Sequence, residues 1–223
     1  MKTIAIIVAM SKELRLLLPL LRDTATQTVH GTTFHTGFIG DHRIVAMECG
    51  IGKVNAAMGT TLLLDSFEPD LVINTGVAAG AADGVAVMDI VVATGVAHHD
   101  FWCIGEEWGR VPGSPRIIPA VVPEGIGGMP HVKTGLICSG ELFISRREEI
   151  DTILSHFPDA AAVDMESAAI GQVCLTRGVP FICMRLISDT PWCDHDNSRQ
   201  YDDFWAEAPE HSFAVVEKII KSL

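Results

Sequence analysis

Apolar residues without polar interruption mark several short segments that we expect to be strands buried on both faces of a sheet. The first is residues 3–9, TIAIIVA, which is rich in β-branched side chains. Similar runs recur at residues 70–75, 89–96, 135–139 and 181–187. Strands that are apolar along their whole length are typical of parallel sheets, so these runs predict the centre of such a sheet.

Between these runs, apolar positions recur with the spacing of a helix that has one buried face. Ser11 can cap the first such helix. Its apolar face consists of Leu14, Leu17, Leu18 and Leu21. Further helices are predicted at residues 53–66, 146–156, 166–176 and 203–222.

Three other segments have distinct patterns. Residues 27–36 and 43–48 alternate between polar and apolar side chains, which predicts two strands joined by a hairpin turn at Gly40–Asp41. The glycine- and alanine-rich run 76–80 is expected to be a tight turn after strand 70–75. Residues 111–132 contain five prolines, which makes a helix improbable and favours a long loop.

Strands and helices alternate along most of the 223 residues. This order predicts an α/β fold with a mixed, mainly parallel central sheet flanked by helices. The length suits a single domain that spans residues 1–223.

Charge and cysteine content narrow the classes of function. The net charge is −12, from 16 basic and 28 acidic side chains, so neither nucleic acid nor an anionic membrane surface is expected as a partner. The six cysteines form no C-x-x-C pair and are interpreted as reduced thiols of a cytoplasmic protein. No apolar run is long enough to span a bilayer, and residues 4–10 do not have the features of a signal peptide.

Candidate chemical groups follow the predicted strands, where ligands bind in open α/β sheets. Glu13, Glu166 and Asp189 each lie at or just after the end of a strand-like run. Taken singly, each could be a helix-capping, turn or solvent-exposed acid. Three carboxylates at one rim would instead suit cleavage of a glycosidic bond. The cluster His98–His99–Asp100 has no third ligand at a metal-binding spacing, so no metal is expected.

These residues belong to a series of motifs that carry a family resemblance. The motifs are IAIIVAMSKE (4–13), CGIGKVNAA (49–57), PDLVINTGVAAG (69–80), DIVVATG (89–95), SGELFI (139–144), VDMESAAI (163–170) and RLISD (185–189). Together they resemble the nucleoside phosphorylase and nucleosidase superfamily, and most closely its 5′-methylthioadenosine/S-adenosylhomocysteine nucleosidases. The resemblance implies a three-layer fold and a cytoplasmic homodimer of methionine salvage. It also implies an enzyme that releases adenine from a small nucleoside without any cofactor.

The resemblance also implies a role for each catalytic acid. Glu13 matches the acid that activates the attacking water, and Glu166 matches the acid that holds the ribose hydroxyls. Asp189 matches the acid that protonates the purine at N7, with Ser188 orienting it.

Substrate-binding residues follow from the same motifs. Phe143 matches the ring that stacks on adenine, and the main chain of Ile144 matches the group that contacts its polar edge. Met10, Ile51 and Tyr201 fall where the family builds an apolar pocket for the 5′-substituent. The remaining matches to substrate-binding positions are Ala78, Gly80 and Met165.

The chain departs from the family pattern at three places: Val77 replaces a common serine, segment 113–134 is shorter, and residues 98–105 differ. The resemblance places the loop of residues 98–105 near a neighbouring active site. The loop around Ile104 and Val111–Pro112 is the expected dimer contact.

Three alternatives remain. A phosphorylase of the same fold is disfavoured because Asn74 and Val77 replace its arginine and serine. A hydrolase of another 6-aminopurine nucleoside, such as aminodeoxyfutalosine, would use the same base pocket. A nucleoside-binding protein without catalysis is the third alternative, and the presence of all three acids argues against it.

Overall fold

The computed structural model describes residues 1–191, 197–207 and 209–222. Within them, the strands of the sheet are β1 Thr3–Val8, β2 Arg22–Val29, β3 Thr32–Ile39, β4 His42–Glu48, β5 Leu71–Gly80, β6 Ile90–His98, β7 Ile118–Pro119, β8 Val132–Ser139, β9 Ala160–Asp164 and β10 Phe181–Asp189. The α-helices are α1 Ser11–Leu17, α2 Lys53–Phe67, α3 Arg147–His156, α4 Ser167–Arg177, α5 Asn197–Glu207 and α6 Pro209–Ser222. The mixed α/β sheet flanked by helices confirms the predicted fold class.

The strands in the centre of the sheet are parallel, and on one side the strand pairings close into a ring. Strand β1 pairs in parallel with β4 and β5, and β3 and β2 extend this side of the sheet as antiparallel hairpins. On its other side β5 pairs with β10, and the pairings continue through β6, β8 and β9 back to β5. The carboxyl ends of β1, β5, β9 and β10 therefore come together around one point.

Helices cover both faces because alternate residues of the buried strands point to opposite sides. In β1, Ile4, Ile6 and Val8 pack with apolar residues of α1, α5 and α6. Ala5 and Ile7 pack on the opposite face with residues of α2 and α4. A third cluster places α3 against β8 and β9.

The hairpin at Gly40–Asp41 is confirmed, but the prediction of one strand over residues 27–36 is wrong. The chain turns at His30–Gly31, and Val29 pairs with Thr32 across the turn. Both turn residues have positive φ, +47° and +84°, as a two-residue hairpin of the common primed type requires. The polar side chains around the turn hide this break from a simple alternation pattern.

The prediction of a turn at residues 76–80 is also wrong. These residues continue β5, and Val77, Ala78 and Ala79 pair with Leu186, Ile187 and Asp189 of β10. Ala79 and Gly80 also pair with β9. Small side chains here leave room beside the strand rather than bending it.

The helix predicted over residues 203–222 is instead two helices, α5 Asn197–Glu207 and α6 Pro209–Ser222. Proline cannot donate an amide hydrogen bond, so it is favoured at the first position of a helix rather than in its interior. The proline-rich segment 111–132 contains the short strand β7 and one 3₁₀ turn at residues 126–128 before β8 begins at Val132. The prediction that it is not an α-helix is therefore confirmed.

Candidate active site

One cavity opens where β1, β5, β9 and β10 end, and it holds nearly all of the candidate residues. It has a volume of about 560 Å³ including its mouth. Of the predicted site residues, the cavity is lined by Met10, Glu13, Ile51, Ala78, Phe143, Ile144, Met165, Glu166, Ser188, Asp189 and Tyr201. Gly80 is not part of the lining, and a Cβ at this position would meet Thr190, Ile187 and Val85. The sequence interpretation missed Ala9, Ala79, Leu142, Val163 and Asp164 in the lining, and it noted Val77 only as a departure from the family pattern.

Glu13 is buried in the first turn of α1, with 2% of its surface exposed. Its Oε2 accepts hydrogen bonds from the amides of Ala9 and Met10 at 2.9 and 3.0 Å, and its Oε1 accepts one from Val77 at 3.0 Å. Burial raises the pKa of Glu13 above its usual value, although Arg185 and the three amides oppose the rise. A merely dipole-stabilising surface acid would be solvated, whereas Glu13 is enclosed in the wall of the cavity.

Glu166 lies at the N-terminus of α4 and faces the same cavity. Its Oε1 accepts a hydrogen bond from Gly52 N at 2.9 Å, and its Oε2 lies 3.9 Å from the Arg185 guanidinium. Burial and the neighbouring Asp164 carboxylate raise the pKa of Glu166 to about 7, with Arg185 acting against them. This carboxyl group can therefore bind or release a proton near neutral pH.

Asp189 ends β10 and is buried, with its backbone beside Ala79 of β5. The Ser188 hydroxyl donates a hydrogen bond to Asp189 Oδ1 at 2.5 Å. This contact fixes the carboxyl group, as the motif comparison expects. The side chain is too deeply enclosed to be a simple surface turn residue.

A buried arginine behind these acids was missed by the sequence interpretation. Arg185 is 1% exposed; its Nε donates to Asp164 Oδ2 at 2.8 Å and its Nη2 donates to Asn74 Oδ1 at 2.7 Å. Burial disfavours its charge, but Asp164 together with Cys183, Glu166 and Glu13 outweighs this effect, and the pKa of Arg185 is raised. Ser139 and Ser167 also donate hydroxyl hydrogen bonds to Asp164. A charged residue inside the apolar strand FICMRLISD was the available signal, since buried charges are almost always paired.

Apolar and aromatic side chains form the rest of the cavity wall. Phe143 and Tyr201 meet edge to face, with ring centroids 5.5 Å apart. The Tyr201 hydroxyl lies 3.7 Å from Met10 Sδ, to which it donates a weak hydrogen bond. This half of the cavity suits a flat base and an apolar substituent.

Of the two histidines next to Asp100, only the His98 ring has a hydrogen-bond partner among the described residues, and His99 Nε2 is buried without one. His98 Nε2 is 2.9 Å from the Gln172 side-chain oxygen, and Asp100 pairs with Lys53. The described part of the chain contains no group of three or more side chains placed to hold a metal ion. None of its helices is both long and apolar enough to cross a membrane.

The mixed sheet and the buried acids around an apolar cavity are features that this chain shares with a known class of proteins. Similarity in sequence and in structure identifies this class. The profile of the phosphorylase superfamily matches residues 3–221. A 5′-methylthioadenosine/S-adenosylhomocysteine nucleosidase of Exiguobacterium sp. is 40% identical, with 99% of this chain and 98% of that protein aligned.

Solved structures agree with the sequence comparison. The nucleosidase of the same name from S. pneumoniae, with the transition-state inhibitor MT-ImmA, superposes with a TM-score of 0.91 at 35% identity, covering 99% of both chains. A futalosine hydrolase mutant of Helicobacter pylori superposes with a TM-score of 0.90 at 26% identity, covering 100% of both chains. The chain therefore belongs to the phosphorylase superfamily and, within it, to the 5′-methylthioadenosine/S-adenosylhomocysteine nucleosidase family.

Proposed function

We propose that the protein hydrolyses the N-glycosidic bond of 5′-methylthioadenosine and S-adenosylhomocysteine and releases adenine. The observation that carries this proposal is the convergence of Glu13, Glu166 and Asp189 on one cavity that also has an aromatic wall. Two relatives that align with nearly the whole chain, one by sequence and one by structure, bear the name of this activity.

In the proposed reaction, the bond between C1′ of the ribose and N9 of adenine breaks as Asp189 transfers a proton to N7. Adenine then leaves as a neutral base, and the ribosyl group becomes oxocarbenium-like. Glu13 aligns a water molecule, whose oxygen bonds to C1′ while its proton passes to the Glu13 carboxylate. Glu166 accepts hydrogen bonds from the ribose hydroxyls, and the Gly52 amide and the Arg185 guanidinium hold its carboxyl group in place.

Water rather than phosphate is the proposed nucleophile. Phosphate binding needs fixed cationic donors. None of the described residues that line the cavity is a lysine or an arginine. Arg185 lies behind the wall, and Asp164 and Asn74 already bind its guanidinium. Asn74 therefore contributes to the support of the site instead of binding an anion.

Adenine release from methylthioadenosine, measured with and without phosphate, tests the proposal. We expect the same rate in both samples and a free methylthioribose product. A rate that depends on phosphate and yields a sugar 1-phosphate would identify a phosphorylase. Aminodeoxyfutalosine belongs in the same assay, because the Helicobacter pylori neighbour keeps that substrate class open. Binding of adenine nucleosides without turnover would support the non-catalytic alternative.

We further propose that the protein is a cytoplasmic homodimer that acts in methionine salvage. Support for the dimer comes from a groove between α2 and α4, whose wall includes Val54, Met58 and Val111. Val54 and Met58 are 68% and 67% exposed, and Ile104, in the predicted contact loop, is 90% exposed. Exposed apolar surface of this kind is typical of a subunit interface.

A further inference from the structure

The motif His98–His99–Asp100 has no part in the proposed chemistry, yet it lies along the segment that enters the cavity. His99 N donates a hydrogen bond to Ser139 O at 2.9 Å. The His99 ring packs against Gly140 so closely that a Cβ there would lie 2.3 Å from it. Asp100 Oδ2 accepts a hydrogen bond from Glu141 N at 2.9 Å. These consecutive contacts fix residues 139–141, which lead directly to Phe143 and Ile144.

Glu141 extends this arrangement to the N-terminus of α2. Its Oε1 accepts a hydrogen bond from Lys53 N at 3.0 Å. Its Oε2 lies against Gly52, where a Cβ would approach it to 2.8 Å. The Lys53 ammonium group forms an ion pair with Asp100 Oδ1 at 2.5 Å. The N-cap residue of α2 is Gly52, which has no side chain that could cap the helix. The Glu141 carboxylate, 88 residues from Lys53 in the sequence, caps the helix instead.

Two carboxylates thus bind neighbouring amides of one turn. Gly52 N donates to Glu166 Oε1, and Lys53 N donates to Glu141 Oε1. The same turn carries Ile51, which lines the cavity. The position of Glu141 therefore sets the distance between the segment with Phe143 and the turn that holds Glu166.

We propose that Glu141 is a positioning residue which, together with Asp100 and Lys53, clamps the base-stacking segment 140–144 onto turn 50–52. We name these three residues the clamp. The inference rests on the proposed function, because it assigns the clamp the task of fitting that site to an adenine nucleoside. The clamp touches neither the substrate nor the reacting atoms.

The clamp acts on substrate binding more than on the chemical step. Phe143 and Ile51 contact parts of the nucleoside that change little between ground state and transition state. Loss of such uniform contacts raises KM and leaves kcat nearly constant. The hydrogen bonds that Glu13 accepts from the amides of Ala9, Met10 and Val77, and the one that Asp189 accepts from Ser188, do not involve the clamp.

The test compares Glu141→Ala with Glu141→Gln, whose amide oxygen can still accept the Lys53 amide hydrogen. We expect Glu141→Ala to raise KM for methylthioadenosine about tenfold and to lower kcat less than about threefold. Glu141→Gln should recover most of the KM loss. Asp70→Ala is the matched control, because Asp70 is also an exposed carboxylate that accepts a backbone hydrogen bond, from Thr3 N, at the opposite end of the sheet.

Hydrogen exchange gives a readout that does not depend on turnover. Amides of residues 49–55 should exchange faster in Glu141→Ala and at an unchanged rate in Asp70→Ala. Equal KM values for Glu141→Ala and the unchanged protein, or equal exchange in both, would overturn the clamp. The clamp would also be refuted if Glu141→Gln were as impaired as Glu141→Ala. If the unchanged protein releases no adenine, the proposed function fails, and the exchange comparison still decides whether the clamp exists.

Discussion

The three acids of the cavity have different neighbours, and these neighbours suit each acid to a different role in the proposed reaction. Glu13 accepts three backbone hydrogen bonds, which favour its charged form against burial. Glu166 lies between the Asp164 carboxylate and the Arg185 guanidinium, which act in opposite directions. Asp189 is oriented by the Ser188 hydroxyl group. Carboxyl groups thus supply a base, a ribose ligand and an acid in the proposed reaction.

Replacing Asp189 tests the proton donor. Asn fills the same space but cannot transfer a proton, so Asp189→Asn should lower kcat by about 10²–10⁴-fold. Affinity for the nucleoside should change far less, because the Phe143 and Glu166 contacts remain. Steady-state kinetics and a melting curve on one sample check this. A folded variant with near-normal turnover would contradict the mechanism, and Asp159→Asn, in an exposed turn, is the control.

The raised pKa of Glu166 predicts that this side chain lowers the stability of the folded protein at neutral and alkaline pH, although the proposed reaction uses it. A glutamate in the unfolded chain loses its proton near pH 4.5, whereas the folded chain keeps it up to about pH 7. Folding is therefore increasingly penalised as pH rises through this window. Glu166→Gln cannot ionise, so it should be more stable than the unchanged protein by on the order of 2 kcal/mol at about pH 8.

The two proteins should show no such difference at about pH 4, where both side chains are neutral. Chemical denaturation at the two pH values measures the effect. A stability difference that is constant across the window would mean that Glu166 ionises with an ordinary pKa. Turnover of Glu166→Gln should fall, because an amide is a weaker acceptor for the ribose hydroxyls than a carboxylate.

The residues that could be predicted from the sequence were those next to strand ends, since the topology of an α/β sheet gathers such positions. The family motifs then added Phe143 and Tyr201, which hydrophobic patterns alone do not single out. Arg185 and Glu141 were missed because their partners, Asp164 and Lys53, are distant in sequence. Only folding brings these charges together.

At the scale of elements, β5 determines the shape of the site. It pairs with β1, β9 and β10, so its last residues form the floor on which acids from three other elements converge. The glycines and alanines of this strand are typical of turns, and the sequence pattern therefore misled the prediction for 76–80. The break at His30–Gly31 was hidden because β2 is exposed along nearly all of its length and β3 begins with the polar residues Thr32 and Thr33.

Gly76 of β5 makes room for Glu13. A Cβ at Gly76 would lie 2.5 Å from Glu13 Oε1, which is closer than any real contact. Gly76→Ala should therefore displace the carboxylate and lower kcat by about a hundredfold, since small misplacements of catalytic groups are this costly. Gly128→Ala is the control, because a Cβ there meets nothing within 4 Å. Equal activity of the two variants would show that Glu13 tolerates the shift.

At the scale of the whole molecule, the exposed side of α2 joins the cavity to the proposed dimer contact. Val54 and Met58 follow the turn that carries Ile51, onto which the clamp holds segment 140–144. The charge of −12 leaves apolar contact as the main attraction between two copies. The single domain over residues 1–223 and the absence of nucleic-acid partners stay predictions.

Met58→Glu tests the dimer. A carboxylate in the centre of an apolar interface is left without a partner, which costs several kcal/mol and should yield a monomer. Light scattering measures the mass of both proteins, and Thr26→Glu, on the exposed edge strand β2, controls for added charge. An unchanged protein that scatters as a monomer with full activity would rule out the dimer.

Strand β10 occupies a place between β5 and β6, although it is synthesised long after both. Until residue 181 leaves the ribosome, the growing chain has two open strand edges that face the same gap. Open edges of this kind recruit other strands and promote aggregation. The segment that closes the gap is also the one that delivers Arg185 and Asp189. A nascent chain therefore acquires the last strand of the described sheet and its proposed proton donor in the same step, and shorter translation products have neither.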